Sequence, residues 1–188
     1  KVWIGIGSNL GEKMENIKSA VSQVRALEGV RRVSRTSFLY ESPPALVQEQ
    51  PNFLNGVIEI ETKLDPYSLI TSLQGIEDHM LRDRSQIRYG PRVIDLDVLI
   101  YQDGTIISDP PTLTLPHDQL INRPFVLQPL HDLCPELEIP GKNMRVDEAL
   151  TLLKETEDYK GLRRVLPWIG GGVVDMTDRT LIMGILNC

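Results

Sequence analysis

Cysteine is nearly missing: the 188-residue chain has only Cys134 and Cys188. They lie far apart and at no metal-ligand spacing, which indicates neither a disulfide framework nor a zinc site and suits a reducing compartment. No apolar run approaches the ~20 residues needed to cross a bilayer, and no signal peptide opens the sequence. An excess of positive charge is lacking too. The formal net charge of −6 argues against broad electrostatic binding to nucleic acid or to an anionic membrane, while leaving room for a local basic pocket. The glycine-flanked turn Gly7-Ser8-Asn9-Leu10-Gly11 lacks the Lys-Ser/Thr that completes a nucleotide P-loop, so it reads first as a tight connection. An initiating methionine is also missing. Lys1 leads straight into a strand, from which a longer parent chain is expected.

What is present is an ordinary globular composition, 41% hydrophobic and 24% charged, enough for one good core and the start of a second unit. Val2, Ile4 and Ile6 alternate against Lys1, Trp3 and Gly5 as a half-buried strand. A helix follows on Met14, Ile17, Val21, Val24 and Leu27, and then a strand from about Val30 to Tyr40, closed by Pro43-Pro44. In the next strand Leu54, Ile58 and Ile60 share one face, and Phe53, Asn55, Val57, Glu59 and Glu61 the other. Asp65-Pro66 is a cap-and-proline start for a helix with a Leu69, Leu73, Ile76, Met80 stripe, which leaves Gln74, Glu77 and Asp78 elsewhere on its circumference. Strand, helix, strand, strand, helix, strand is the α+β, ferredoxin-like βαββαβ arrangement: an antiparallel sheet with helices on one face and the other face free. Later come a short strand near Ile106 and Ile107, a helical stretch at Leu127–Leu133, and an acid-rich amphipathic helix over Val146–Tyr159.

The chemistry concentrates in Arg82–Ile100, RDRSQIRYGPRVIDLDVLI. Its strand phase puts Asp95 and Asp97 on one face and Ile94, Leu96, Val98 and Ile100 on the other. Two adjacent carboxylates in an apolar strand call for a cation, and magnesium is the natural one. Asp-x-Asp by itself is also met as a solvated edge-strand pair; the neighbouring arginines favour a site. By phase, Phe53 and Asn55 project from the same sheet face as the two aspartates.

GSNLG at Gly7, YESPP at Tyr40, QPNFLN at Gln50, RYGPRVIDLDVL at Arg88 and TLPHDQLINRPF at Thr114 occur in order and together resemble 6-hydroxymethyl-7,8-dihydropterin pyrophosphokinases over Val2 to about Leu153. That resemblance implies transfer of the β,γ-pyrophosphate of ATP to the hydroxymethyl group of a reduced pterin, with release of AMP. It implies Asp95 and Asp97 as ligands of two magnesium ions, Arg82 and Arg92 as catalytic arginines, and Arg84, Arg88 and Tyr89 as further nucleotide-side residues. Gln74, Glu77, Thr114, His117 and Arg123 are implied to complete the ATP side. The pterin would stack between Phe53 and Phe125, with Asn55 and the backbone of Ser42 and Ala45 at its edge. Phe53 and Tyr89 stand where some family members carry other aromatics, and Thr112 stands near where a bacterial member would place an arginine.

After Gly170-Gly171-Gly172, the segment Val173–Cys188 resembles the first barrel strand of dihydropteroate synthases, whose asparagine at the position of Asn187 contacts magnesium and pyrophosphate. One strand cannot build a (β/α)8 barrel. The expected organisation is a pyrophosphokinase domain over 1–158, a linker over 159–174 and the start of a second domain over 175–188. The parent would be a fungal-type multifunctional folate protein, with dihydroneopterin aldolase expected upstream, in the cytoplasm or a mitochondrion. An RNA-binding module on a ferredoxin-like sheet and a two-metal nucleotidyltransferase are the alternatives; the acidic charge and the lack of a basic-aromatic strand motif count against the first.

Overall fold

A computed structural model describes residues 1–44, 49–80, 90–101, 104–168 and 172–177. In chain order the first elements are β1 (Val2–Ser8), α1 (Lys13–Ala26), β2 (Val30–Thr36), β3 (Leu39–Ser42), β4 (Phe53–Thr62), α2 (Pro66–His79) and β5 (Asp95–Tyr101). They form the expected βαββαβ unit, with β1 central between antiparallel β4 and β5. The strand expected from Val30 to Tyr40 is divided in two. Both pieces pair with β4, and between them Ser37 turns its N–H and hydroxyl to the Val57 peptide group, donating to its C=O and accepting from its N–H.

Helices α1 and α2 cover one sheet face. Ile17, Ala20 and Val24 of α1 and Leu69, Leu73 and Ile76 of α2 pack on Val2, Ile4, Ile6, Leu54, Ile58, Ile60, Leu96 and Val98. Removing these side chains from water is the main stabilising contribution. Asp65 caps α2 as its sequence suggests, accepting from the N–H groups of Tyr67 and Ser68.

The rest of the chain is β6 (Ile107–Asp109), β7 (Leu113–Leu115), a 3-10 turn (Leu120–Asn122), α3 (Pro124–Leu133), β8 (Glu138–Ile139), β9 (Met144–Arg145), α4 (Val146–Leu153), α5 (Glu157–Lys160), β10 (Arg163–Pro167) and β11 (Val173–Asp175). The expected single helix over Val146–Tyr159 is two helices, broken where Thr156 caps the second. Contrary to expectation, the opposite sheet face is not wholly free. Leu127, Leu130 and Leu133 of α3, with Val146, Ala149 and Leu150 of α4, form a second core on Trp3, Val57, Leu99 and Ile100. β1 is therefore buried on both faces rather than half-buried, and Trp3 is only 3% exposed.

Ile100 also departs from its expected face. Along β5 the register passes from Val98, opposite Ile4, to Ile100, opposite Trp3, so that Leu99 is an extra, bulged residue. A bulge reverses the alternation beyond it. Ile100 thus joins the second core and Tyr101 the first. At the far edge β10 pairs antiparallel with β3, and β11 with β10, so the stretch expected as a linker carries two strands of the main sheet.

Candidate functional site

The site is built on the part of the second face that α3 and α4 leave uncovered. Antiparallel pairing sets Tyr40, Asn55, Gly7 and Asp95 in one row across β3, β4, β1 and β5, and Gly5 beside Asp97 in the next. A glycine leaves the middle of the first row open. A Cβ on Gly7 would stand 3.3 Å from Asn55 Oδ1 and 3.9 Å from both Asp95 Cβ and Phe53 Cδ1. The bare backbone lets residues of the two outer strands meet over β1.

On the β5 side, Arg92 Nη1 is 2.7 Å from Asp95 Oδ1. Asp97 is held well above the ordinary carboxylate range, first by desolvation, then by the charges of Asp95 and Glu77, with Arg123 and Arg92 opposing. Its side chain is still 41% exposed, so a cation can reach it from solvent. Glu77, expected on the nucleotide side, is only 2% exposed and accepts from the Leu96 N–H at 2.8 Å, against the backbone of β5. Gln74 faces solvent, and Thr114 sits half-buried on β7, which packs beside β5.

The bulge places His117. Its N–H donates to the Leu99 C=O at 2.8 Å, while the Gln119 N–H donates to its Nδ1 at 3.2 Å. With Nδ1 accepting, the ring proton lies on Nε2, which is 3.9 Å from Asp97 Oδ2. Burial, and then the Arg123 charge, lower the pKa of His117, so the neutral ring prevails at neutral pH. Arg123 precedes α3 and holds its guanidinium carbon 5.8 Å from the centre of the Phe125 ring.

On the β4 side, Asn55 and Ser42 are each 5% exposed, and Asn55 Nδ2 donates to Ser42 Oγ at 2.9 Å and to the Tyr40 C=O at 3.4 Å. Phe53 lies opposite Ser42 in the β3–β4 ladder, and both Phe53 and Phe125 are half-buried. Arg82, Arg84, Arg88, Tyr89, Ala45 and Asn187 lie outside the described residues.

Asn9 is the residue that sequence reasoning missed. It is 2% exposed. Its N–H donates to the Arg92 C=O at 3.1 Å and its Oδ1 accepts from the Arg92 N–H at 2.8 Å, while Nδ2 donates to Gln50 Oε1 at 3.0 Å and the Pro51 C=O at 3.1 Å. The turn read as a tight connection therefore clamps the segment before Phe53 to the one carrying Arg92. Its only sequence signal was an amide side chain inside a glycine turn directly after a central strand.

Among the described residues no three His, Cys, Asp or Glu side chains form a group able to enclose a metal. Asp95 and Asp97 nevertheless suit magnesium, which keeps water and takes one or two carboxylates together with substrate phosphates. A cavity of about 970 Å³ lined by Glu138, Gly141, Arg145 and Glu148, among others, shares no residue with this site.

Residues 3–135 match the family pattern of 7,8-dihydro-6-hydroxymethylpterin-pyrophosphokinase, HPPK. The chain belongs to this family. The HPPK match spans every described residue of the site. The chain is 38% identical over 199 residues to the mitochondrial folate synthesis bifunctional protein of Pisum sativum, covering 100% of this chain and 38% of that one. It is 39% identical over 185 residues to the folic acid synthesis protein fol1 of Schizosaccharomyces pombe, covering 98% and 24%. It is 40% identical over 165 residues to the 2-amino-4-hydroxy-6-hydroxymethyldihydropteridine pyrophosphokinase of Methylorubrum extorquens, covering 88% and 98%. It thus spans a minority of the length of the first two and nearly all of the third. In fold it is similar to the wild-type HPPK-DHPS of Plasmodium falciparum, with a TM-score of 0.68 at 15% identity, covering 98% of this chain and 50% of that one.

Proposed function

We propose that this chain transfers pyrophosphate from MgATP to the hydroxymethyl group of 6-hydroxymethyl-7,8-dihydropterin and releases AMP, a step of folate biosynthesis. The observation that carries the reading is the row Asn55, Gly7, Asp95, which brings an amide-and-aromatic wall and a carboxylate pair to one trough over β1. The wall suits a flat heterocycle. Phe53 and Phe125 supply faces for stacking, and Asn55, oriented by Ser42, supplies an amide for the ring edge. The carboxylates suit magnesium, and two ions are proposed, held by Asp95 and Asp97 together with the triphosphate. When bound, the metal neutralises phosphate charge.

The chain's own groups do the rest by positioning and electrostatics, as phosphoryl transfer requires. Arg92 and Arg123 present guanidinium forks to phosphate oxygens, and His117 offers a neutral Nε2–H beside Asp97. Gln74, Glu77 and Thr114 are proposed as supporting residues on the nucleotide side, and Arg82, Arg84, Arg88, Tyr89 and Ala45 to complete the site. The pterin hydroxyl oxygen bonds to the β-phosphorus, the bond from that phosphorus to the α,β-bridging oxygen breaks, AMP leaves with that oxygen, and the hydroxyl proton passes to solvent.

The parent protein is proposed to continue through 159–174 into a dihydropteroate synthase domain that begins near 175 and includes Asn187, with dihydroneopterin aldolase upstream, in the cytoplasm or a mitochondrion. The names of the pea and Schizosaccharomyces pombe relatives support a folate-synthesis parent, and the pea name supports the mitochondrial option. No helix among the described residues is long and apolar enough to cross a membrane. Incubation with MgATP and 6-hydroxymethyl-7,8-dihydropterin tests the activity. AMP should appear in step with pterin consumption; inorganic pyrophosphate in its place would mean nucleotidyl transfer and overturn the reading.

A further inference from the structure

Gly161 and the start of β10 reach the proposed pterin wall by three separate routes. The first is the backbone ladder. β10 sets Arg163 opposite Glu41, Arg164 opposite Tyr40 and Val165 opposite Leu39, and β3 in turn sets Tyr40 opposite Asn55 and Ser42 opposite Phe53. The strand that holds Ser42 against Asn55 thus has β4 on one side and β10 on the other.

The second route is ionic. Arg163 pairs with Glu41, a side chain only 14% exposed, and Glu41 lies 3.8 Å from Lys13 Nζ. Lys13 Nζ donates to the Asn52 C=O at 3.0 Å, one residue before Phe53. The third route is close packing. Gly161, between α5 and β10, lies so near Pro43 that a Cβ there would stand 3.3 Å from Pro43 Cγ and 3.4 Å from Cδ. Pro43 directly follows Ser42. Gly161 therefore packs on one end of the 43–52 connection, and Arg163 reaches the other through Glu41 and Lys13.

We infer that Gly161–Arg163 braces the pterin side of the site, with Gly161 and Arg163 acting as positioning residues for pterin and not for the nucleotide. The ladder and the packing favour that side: they end at Ser42 and Pro43, whereas Asp95, Asp97 and His117 sit on and beside β5, across β4 and β1 from β3; the ionic route alone ends in the segment that Asn9 also ties to Arg92. The inference rests on the reading of Phe53, Asn55 and Ser42 as the pterin wall.

The test uses the full chain with Arg163→Gln and Gly161→Val. Each variant is titrated with 6-hydroxymethylpterin in the presence of magnesium and a non-hydrolysable ATP analogue, and separately with the analogue alone. Arg163 is half exposed, so its loss should weaken pterin binding only about threefold. Gly161→Val forces Pro43 to move and should weaken it about tenfold. Analogue binding alone should stay within about twofold, and Arg163→Lys should recover part of the pterin loss. A purely structural role would lower the thermal midpoint without this asymmetry. Unchanged pterin affinity in both variants overturns the brace, and so does an equal loss for both ligands. A wild-type chain that takes the analogue but not the pterin overturns the function reading itself, and the brace with it.

Discussion

At the residue scale, Asp97 shows how a site differs from a core. A carboxylate that is desolvated and set beside Asp95 and near Glu77 is electrostatically unfavourable without a cation, which is the cost expected of the magnesium site proposed for it. Asp97→Asn removes one of the like charges while preserving shape. The expected outcome is turnover lowered about a thousandfold or more, with a thermal midpoint in chelator equal to or above that of the wild type. A clear drop in that midpoint would mean that Asp97 is a structural residue. Asp95 differs, because its partner Arg92 lies within the protein at 2.7 Å. The phase of the Asp-x-Asp pair was legible in the sequence because alternation is a local property of a strand. The clamp made by Asn9 was not, because its partners Gln50, Pro51 and Arg92 are brought near only by the completed sheet.

At the element scale, β4 is tied to β2 by a buried charge. Glu59 is 1% exposed. Burial alone would raise its pKa, but hydrogen bonds from Arg35, Ser34 and Lys1 outweigh that and bring it down to about 2. Arg35 also donates to the Leu133 C=O at 2.6 Å, so the same guanidinium ties β2 to the end of α3. A carboxylate whose folded pKa is depressed contributes stability above its unfolded pKa, near 4.5, and that contribution disappears as pH falls toward 2. Glu59→Gln should therefore cost about 2 kcal/mol at pH 7 in urea unfolding, and the gap from wild type should close between pH 4.5 and pH 2. A gap that persists at the acid end would locate the loss in packing instead. Sequence phase put Glu59 on the correct face but could not reveal that the residue is buried, since Glu61, on the same face, is partly open to solvent. Similarly, the bulge at Leu99 left no sign in an unbroken apolar run, yet it decides where Ile100 points and supplies the carbonyl that holds His117.

At the scale of the whole molecule, one sheet serves two cores, and the site occupies the part of the second face that α3 and α4 leave uncovered. The βαββαβ order was readable because each element carries its own period and caps. The covering of the second face was not, because an amphipathic α3 announces an apolar stripe without saying which surface will receive it. The two cores share β1, whose Ile4 enters one and whose Trp3 enters the other. Loosening the second core should therefore weaken the first. Leu130 is fully buried at the centre of the α3 contact. Leu130→Ala should cost about 3 kcal/mol and still give a single unfolding transition, with tryptophan fluorescence and far-ultraviolet dichroism coincident in urea. If fluorescence changed first, with the helical signal following at higher denaturant, α3 and α4 would be a separately melting layer. The trough over β1 would then have to be regarded as a site bounded by a movable wall that carries Phe125.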